Sequence, residues 1–501
     1  MAGISIAFAA YNTKIATEIK AKLAEADQPT NEPPRLWSPQ QSAVFKFVQH
    51  GRGSAFVEAV AGAGKTTTLV HATQLMGGEV RAGTFHSFGI SAVRRVYRDT
   101  KVADNHEKDD RLVAELKVPE DLQGFTLKLL SLAKQAALGL HGNDRDEGAW
   151  WKIVEHHDLT ADLEEPDRAL EGIRYAWRAL KLSKEIASEV IDFDDMIYLP
   201  VVTNMRVWQN DWLLVDEAQD TNPVRRALAR KMLRPGGRSL WVGDRHQAIY
   251  GFTGADADAV DLICREFSCT MLPLTVTYRC PKAVVAAAHE VVDHIQAHTS
   301  APEGTYQSIS EDTMWSKDHV ASLVPGDAIL CRKTAPLLSA AFRLIKMGVA
   351  CHVEGREIGA GLLKLVNRWK VKNVERLRDR LTDYREQQVS KLLAKGQEAK
   401  AEALSDRVDT VLVLAEGCPD VDCVRKKIED MFKDGAPTLT LSTVHKSKGR
   451  EWGRVFVLGR NAYMPSPWAR QDWMMEQEKN LIYVAYTRAK ADLTLINVKG
   501  A

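Results

Sequence analysis

No apolar run in this 501-residue sequence approaches the length of about eighteen that a membrane-spanning helix needs. Nor does the N-terminus carry a basic stretch leading into an apolar core, which argues against a secretory signal. Charge of one sign is lacking too. The 67 lysines and arginines meet 66 aspartates and glutamates, for a net charge of +1. A global basic signature is thereby excluded, and any contact with a polyanion has to come from a local groove. Cysteine is sparse, seven in all with no CxxC pair, which fits reduced thiols in a cytosol rather than a disulfide framework. Cys418 and Cys423 have no metal-ligating partners nearby in sequence and read as buried thiols. No internal repeat recurs at a fixed short period.

What is present is enough chain for about three domain-sized units. In 1–92 and 184–270, short apolar runs ending in glycine or polar loops alternate with helical stretches, the pattern of a parallel sheet covered by helices. Residues 93–183 are mostly helical, with "TLKLLSLAKQAALGL" the clearest amphipathic run. Strand-like runs return in 271–355 and 435–501, among them "TMLPLTVTYR", "DAILCRK", "TLTLSTVH" and "RVFVLG". A charged helical block, 356–434, interrupts them. Its interspersed acids and bases favour i,i+4 pairs on solvated faces, and its apolar heptads are not sustained enough for a coiled-coil arm. The expected fold class is α/β, two sheet units each carrying a helical insertion.

"FVEAVAGAGKTTTL" is the strongest local signal. An apolar strand, a glycine-rich turn (Ala61, Gly62, Ala63, Gly64) and Lys65-Thr66-Thr67 at a helix start make a phosphate cradle. Backbone N–H groups and the helix N-terminus favour an anion, Lys65 neutralises charge, and the Thr66 hydroxyl reaches Mg²⁺. Ala59 stands where the usual pattern has its first glycine. "WLLVDEAQD" supplies the acidic partner: Asp216 beside the metal and Glu217 beside the attacking water. Paired acids at a strand end are commonly just solvated; combined with Lys65 they indicate a nucleoside triphosphatase using ATP and Mg²⁺.

The remaining motifs, "LWVGDRHQAIYGFTGA", "TYRCP", "LSTVHKSKGREW" and "LIYVAYTRAK", follow in order. With "TFHSFG" and "IDFDDM", the chain resembles superfamily 1 DNA helicases of the UvrD/PcrA/Rep group over nearly its whole length outside the insertions. The resemblance implies two RecA-like P-loop motor domains. It implies that Gln40 reads adenine, Tyr278 stacks on the base and Glu451 lies near the ribose. Gln247 would couple γ-phosphate state to DNA contacts, and Arg279 and Arg488 would reach the γ-phosphate. Tyr11, His86, Tyr250, Phe252, Thr443 and His445 match positions lining a single-strand path. Each has a plainer rival: an arginine is usually a surface ion pair, and an aromatic usually core. Thr67 and Thr253 stand where the group often has arginine, which bears on unwinding strength.

One segment is out of place. In the group, a strand and helix with an aromatic-Asn/Thr-Lys turn lies between the phosphate-loop helix and "TFHS". Here that interval is only "LVHATQLMGGEVRAG", whereas "AFAAYNTKIATEIKAKL" precedes the loop, with Tyr11 and Lys14 at the matching turn. Residues 4–10 are therefore expected in the first sheet, relocated with the helix up to residue 26. The connector "DQPTNEPPR" at about 3.1 Å per residue spans about 28 Å, enough reach. The expected function is an ATP-dependent DNA helicase or single-strand translocase, 3′→5′, acting on single-stranded and tailed or forked duplex DNA. The alternative is a DNA-stimulated ATPase that regulates or displaces proteins and unwinds weakly. A loading partner is conceivable and unidentified, no membrane is involved, and the expected location is cytoplasmic, in a nucleoid or a host cytoplasm.

Overall fold

A computed structural model describes residues 4–10, 12–26, 36–103, 105–140, 142, 144–163, 165–251, 258–354, 356–394, 398–431, 439–467, 469 and 471–499. The chain divides into two units, Met1–Thr275 and Val276–Ala501. In the first, six parallel strands form one sheet: β1 (Ser5–Ala10), β2 (Ala55–Ala59), β3 (Glu79–Thr84), β4 (Asn210–Val215), β5 (Leu233–Gly243) and β6 (Thr270–Leu274). Their spatial order is β3-β1-β4-β5-β2-β6. From sequence the second unit is expected to start at residue 271, but β6 completes the first sheet, because Thr270 to Leu274 pair with Ala55 to Ala59.

The N-terminal strand thus lies inside the sheet. Ser5 to Ala10 pair with Glu79 to Thr84 on one side, and Ile6 to Ala9 with Trp212 to Val215 on the other. Ile6, Ala7, Phe8 and Ala9 are fully buried, which explains an apolar run without polar alternation: a strand covered on both faces has no wet side. Because β1 comes from elsewhere in the chain, the helix Lys65–Met76 leads from β2 directly to β3. That is four strand spacings, roughly 19 Å. The link closes at Gly78, whose φ is +108° and whose Cβ, if it had one, would sit 2.1 Å from the Ile4 carbonyl oxygen. The next residue, Glu79, donates its N–H to that oxygen at 2.9 Å. Any side chain at 78 meets Ile4, just ahead of β1. The connector 27–35 and Tyr11 lie outside the described residues.

The helices Asn105–Leu116, Glu120–Gln135, Glu147–His156 and Ala169–Glu185 form the first insertion, and its buried apolar residues are continuous with those of the sheet. A buried ionic cluster ties it back. Lys134 pairs with Asp192 at 2.6 Å and Asp195 at 2.8 Å, and Lys108 pairs with Asp195. Asp192 and Asp195 also close the N-terminus of helix Phe193–Val202 by a capping box.

The second unit has a parallel sheet of β7 (Thr305–Ser310), β8 (Ala328–Cys331), β9 (Cys351–Val353), β10 (Leu439–Thr443), β11 (Trp452–Leu458) and β12 (Ala489–Asn497), in the order β7-β12-β11-β8-β10-β9. Between β9 and β10 stand four helices, Arg356–Asn367, Val374–Ala394, Glu398–Leu414 and Val421–Met431. Cys418 and Cys423 are half-buried rather than buried, and their Sγ atoms are 2.6 Å apart. Among the described residues, no helix is long and apolar enough to cross a membrane.

Candidate nucleotide and DNA site

The phosphate loop follows β2. Gly64 precedes the first residue of helix Lys65–Met76 with φ +80°, a left-handed conformation that a Cβ would strain, and Gln41 Nε2 stands 3.3 Å from where that Cβ would be. Gln41 also donates to Thr68 Oγ1 at 3.2 Å, packing its own helix, Pro39–His50, against the loop. The Thr66 hydroxyl donates to Asp216 Oδ2 at 3.2 Å, so the sheet brings the two expected metal-side residues together. Among the described residues no group of three His, Cys, Asp or Glu could hold a metal by itself. A hydroxyl and one carboxylate fit a divalent ion that arrives with phosphate oxygens and water. Burial pushes the Asp216 carboxyl up to about 7, helped by neighbouring Glu217 and opposed by Lys65. A cation placed there would restore its charge.

Glu217 sits at φ +51°, ψ +45°. A glutamate in this left-handed region costs of order 1–3 kcal/mol and persists only where surroundings impose it. They do so here. The Glu217 N–H donates to Asp216 Oδ1 at 2.9 Å, and Gln219 Nε2 donates to Glu217 Oε2. Gln219 Oε1 accepts the Asp244 N–H at 3.1 Å, and Asp244 Oδ2 accepts from Gln247 Nε2 at 2.7 Å. An unbroken run of bonds therefore joins Thr66 to Gln247 through two strand ends. Gln219 lay within the quoted acidic motif, but only the tertiary fold gives it this linking place.

The Gln40 side chain is oriented by Thr275: it accepts the Thr275 N–H at 2.9 Å and donates to Thr275 Oγ1 at 2.9 Å. His86 lies in the first turn of helix Phe85–Val96, and burial lowers its pKa to about 4, with Arg225 adding to the effect. It is neutral at physiological pH. The Phe193 ring, 51% exposed, approaches it edge-on at 5.9 Å between centroids. Phe193 was not singled out from sequence; an aromatic beside four acidic or apolar neighbours carries no signal until the buried ionic cluster fixes its helix. Tyr250, three residues after Gln247, is half-buried, and Phe252 with Thr253 lies outside the described residues.

In the second unit Tyr278 is 46% exposed, with the His298 ring 5.0 Å away. Arg279 Nε donates to Glu451 Oε2 at 2.6 Å, and Lys490 lies 3.5 Å from the same carboxylate. Glu451 is held below the usual carboxylate range, because Arg279 and Lys490 outweigh its burial. Arg488 is buried. Its guanidinium donates to the carbonyls of Val484 (2.9 Å) and Arg450 (3.2 Å) and to Thr487 Oγ1 (3.2 Å). Arg279 engages Nε and Nη1 with Glu451 and the Thr487 carbonyl, whereas all three nitrogens of Arg488 are engaged within its own unit. Thr443 caps the short helix Val444–Ser447, and burial takes the neighbouring His445 down to about 3, with Arg332 and Lys448 contributing.

Comparison with known proteins matches residues 74–268 to the UvrD/REP helicase N-terminal domain and residues 364–500 to the UvrD-like helicase C-terminal domain. The ATP-dependent DNA helicase UvrD2 of Mycobacterium tuberculosis (strain CDC 1551 / Oshkosh) is 24% identical over 363 residues, covering 61% of this chain and 51% of that protein. The ATP-dependent DNA helicase Rep of Escherichia coli (strain K12) is 34% identical over 115 residues, 21% of this chain and 17% of Rep. The F-box DNA helicase protein 1 of Schizosaccharomyces pombe is 27% identical over 305 residues, 57% of this chain and 34% of that protein. The chain thus spans about half or less of the length of these relatives.

Proposed function

Because the chain belongs to the UvrD/Rep-type superfamily 1 DNA helicases, we propose that it hydrolyses ATP to move along single-stranded DNA. The direction proposed is 3′→5′, with tailed or forked duplexes separated on the way. The observation that carries this reading is the hydrogen-bonded run from Thr66 through Asp216, Glu217, Gln219 and Asp244 to Gln247. It links a phosphate-binding helix start to the loop holding Tyr250.

The chemistry follows from the residues. Lys65 and the loop N–H groups hold the phosphates. Mg²⁺, bound beside Thr66 and Asp216, would neutralise phosphate charge. Glu217, set at its angle by Gln219, orients a water and takes its proton. Gln40 and Tyr278 recognise the adenine and Glu451 the ribose. Arg279 and Arg488 contribute charge at the γ-phosphate, an effect of about 10³–10⁵ in rate for such arginines. His86, Phe193 and Tyr250, with Thr443 and His445, contact bases; ring stacking is worth about 1–3 kcal/mol per base and tolerates any sequence. Neutral His86 and His445 serve as stacking or hydrogen-bonding groups, not as phosphate charges.

We also read β1 and its helix as the group's strand-helix unit supplied from the N-terminus. Its place between β3 and β4 supports this. A second reading, a DNA-stimulated ATPase with little unwinding, rests on Thr67 in place of a frequent arginine. Strand displacement on 3′-tailed and 5′-tailed duplexes tests both. Displacement from the 3′ tail alone supports the proposal. ATP turnover without displacement favours the second reading, and displacement from the 5′ tail alone refutes the direction.

A further inference from the structure

A cavity of about 920 Å³ opens between the last turn of helix Phe85–Val96 and the segment 204–209 that leads into β4. It lies at the start of β4, whereas Asp216 follows the end of that strand, six residues and about 20 Å away. The nucleotide site and this cavity are therefore at opposite ends of the sheet.

Its lining combines two chemistries. The apolar part is Ala92, Val96, Met205, Val207 and Trp208, and the Trp208 side is 48% exposed. The polar part is Asn204, Gln209 and four cations, and no aspartate or glutamate lines it among the described residues. Arg206 makes no ion pair or hydrogen bond among the described residues. Arg95 and the adjoining Arg81 hold their guanidinium groups 5.8 and 4.7 Å from the Trp208 ring centroid, with no carboxylate partner among those residues. Lys231 donates to the uncharged Asn204 side chain at 2.7 Å. Arg234, by contrast, is answered by Asp211 at 2.9 Å. A chain whose charges otherwise cancel to +1 thus gathers four uncompensated cations, Arg81, Arg95, Arg206 and Lys231, around one concavity.

A phosphate backbone would be served by cations alone, along an extended track. An apolar floor within a concavity of this size suits a few buried side chains, and guanidinium groups held over an indole present their forks to carboxylates. We propose that the cavity docks an acidic peptide segment of a partner protein: carboxylates meet Arg81, Arg95 and Arg206, and one apolar side chain rests on Val96, Met205 and Trp208. The proposal does not depend on what the motor does.

Fluorescence anisotropy of a labelled synthetic peptide, aspartates flanking one leucine, titrated with the full chain, reads it directly. Saturable binding is expected, weakened about tenfold by Arg95→Glu with Arg206→Glu and weakened again by added salt. Val96→Asp, and a peptide with serine in place of leucine, should each bind several-fold more weakly. All three substituted residues are at the surface, so thermal melting and oligothymidylate binding should stay unchanged. Absence of peptide binding overturns the proposal, as does binding indifferent to these changes. Loss of oligothymidylate affinity in the double reversal assigns the surface to nucleic acid and overturns it equally.

Discussion

The two units share a parallel six-stranded plan but finish their strand ends differently. In Met1–Thr275, the ends of β2, β4 and β5 carry short groups bonded to one another: Thr66 to Asp216, Gln219 to Glu217, Gln247 to Asp244. Their geometry is set before a ligand arrives. In Val276–Ala501 the cationic candidates are long side chains already engaged, Arg279 with Glu451 and Arg488 with backbone carbonyls. The lesson is a division of labour. On the proposed assignment, the first unit receives the anion with groups set by one another, and the second contributes arginines that are partly engaged within their own unit.

That contrast can be broken most decisively at Arg279. If it serves the γ-phosphate, Arg279→Ala should cut ATP turnover by about 10³ or more, with nucleotide binding largely kept. If it merely pairs with Glu451, the variant should cost no more than about 1 kcal/mol of stability and leave turnover intact. Steady-state hydrolysis with a nucleotide-binding titration separates the two. In the first unit, Glu217→Gln should lower turnover by about 10²–10⁴ while ATP still binds; unchanged turnover would contradict the assigned base.

The structural half of the comparison concerns β1. Phe8→Ala should destabilise the first unit by about 3–5 kcal/mol in urea denaturation, and Gly78→Val should destabilise it by abutting Ile4. Stability indifferent to both would mean the strand is dispensable. The smallest effect is one of pH, in the second unit. His445 is held at about 3, so the folded protein leaves it neutral at pH 5, while the unfolded chain takes up a proton below about 6.5. Its contribution is complete above about pH 6.5 and declines as pH falls toward 3. Between pH 7 and 5 its share of the loss should be roughly 1–2 kcal/mol, and His445→Gln should remove that share in melts at the two pH values, leaving the like contributions of buried His86 and His157.

Much of this was legible in the residues because it is local. A glycine-rich turn between an apolar strand and Lys-Thr announces itself, and so does an apolar strand closing on Asp-Glu. An unbroken apolar run ahead of Asn12 marked β1, and the shortened interval before "TFHS" said where a strand was wanting. What stayed hidden depends on distant parts of the chain meeting. Gln219 links two strand ends 25 residues apart. Phe193 owes its place to Lys108 and Lys134, residues of the insertion. Arg488 looked like an outward-reaching finger, and only the folded chain shows carbonyls from Val484 and Arg450 converging on it. The basic cavity at Trp208 joins residues 81, 95 and 206, which no linear motif unites.

The central claim is that ATP turnover in this chain drives travel along a single strand. Hydrolysis measured against oligothymidylates of increasing length tests it most directly, since a longer track keeps a walking motor engaged longer. The account predicts a rate that climbs with length toward a plateau and collapses in Glu217→Gln. A rate independent of length, or of DNA altogether, would contradict it.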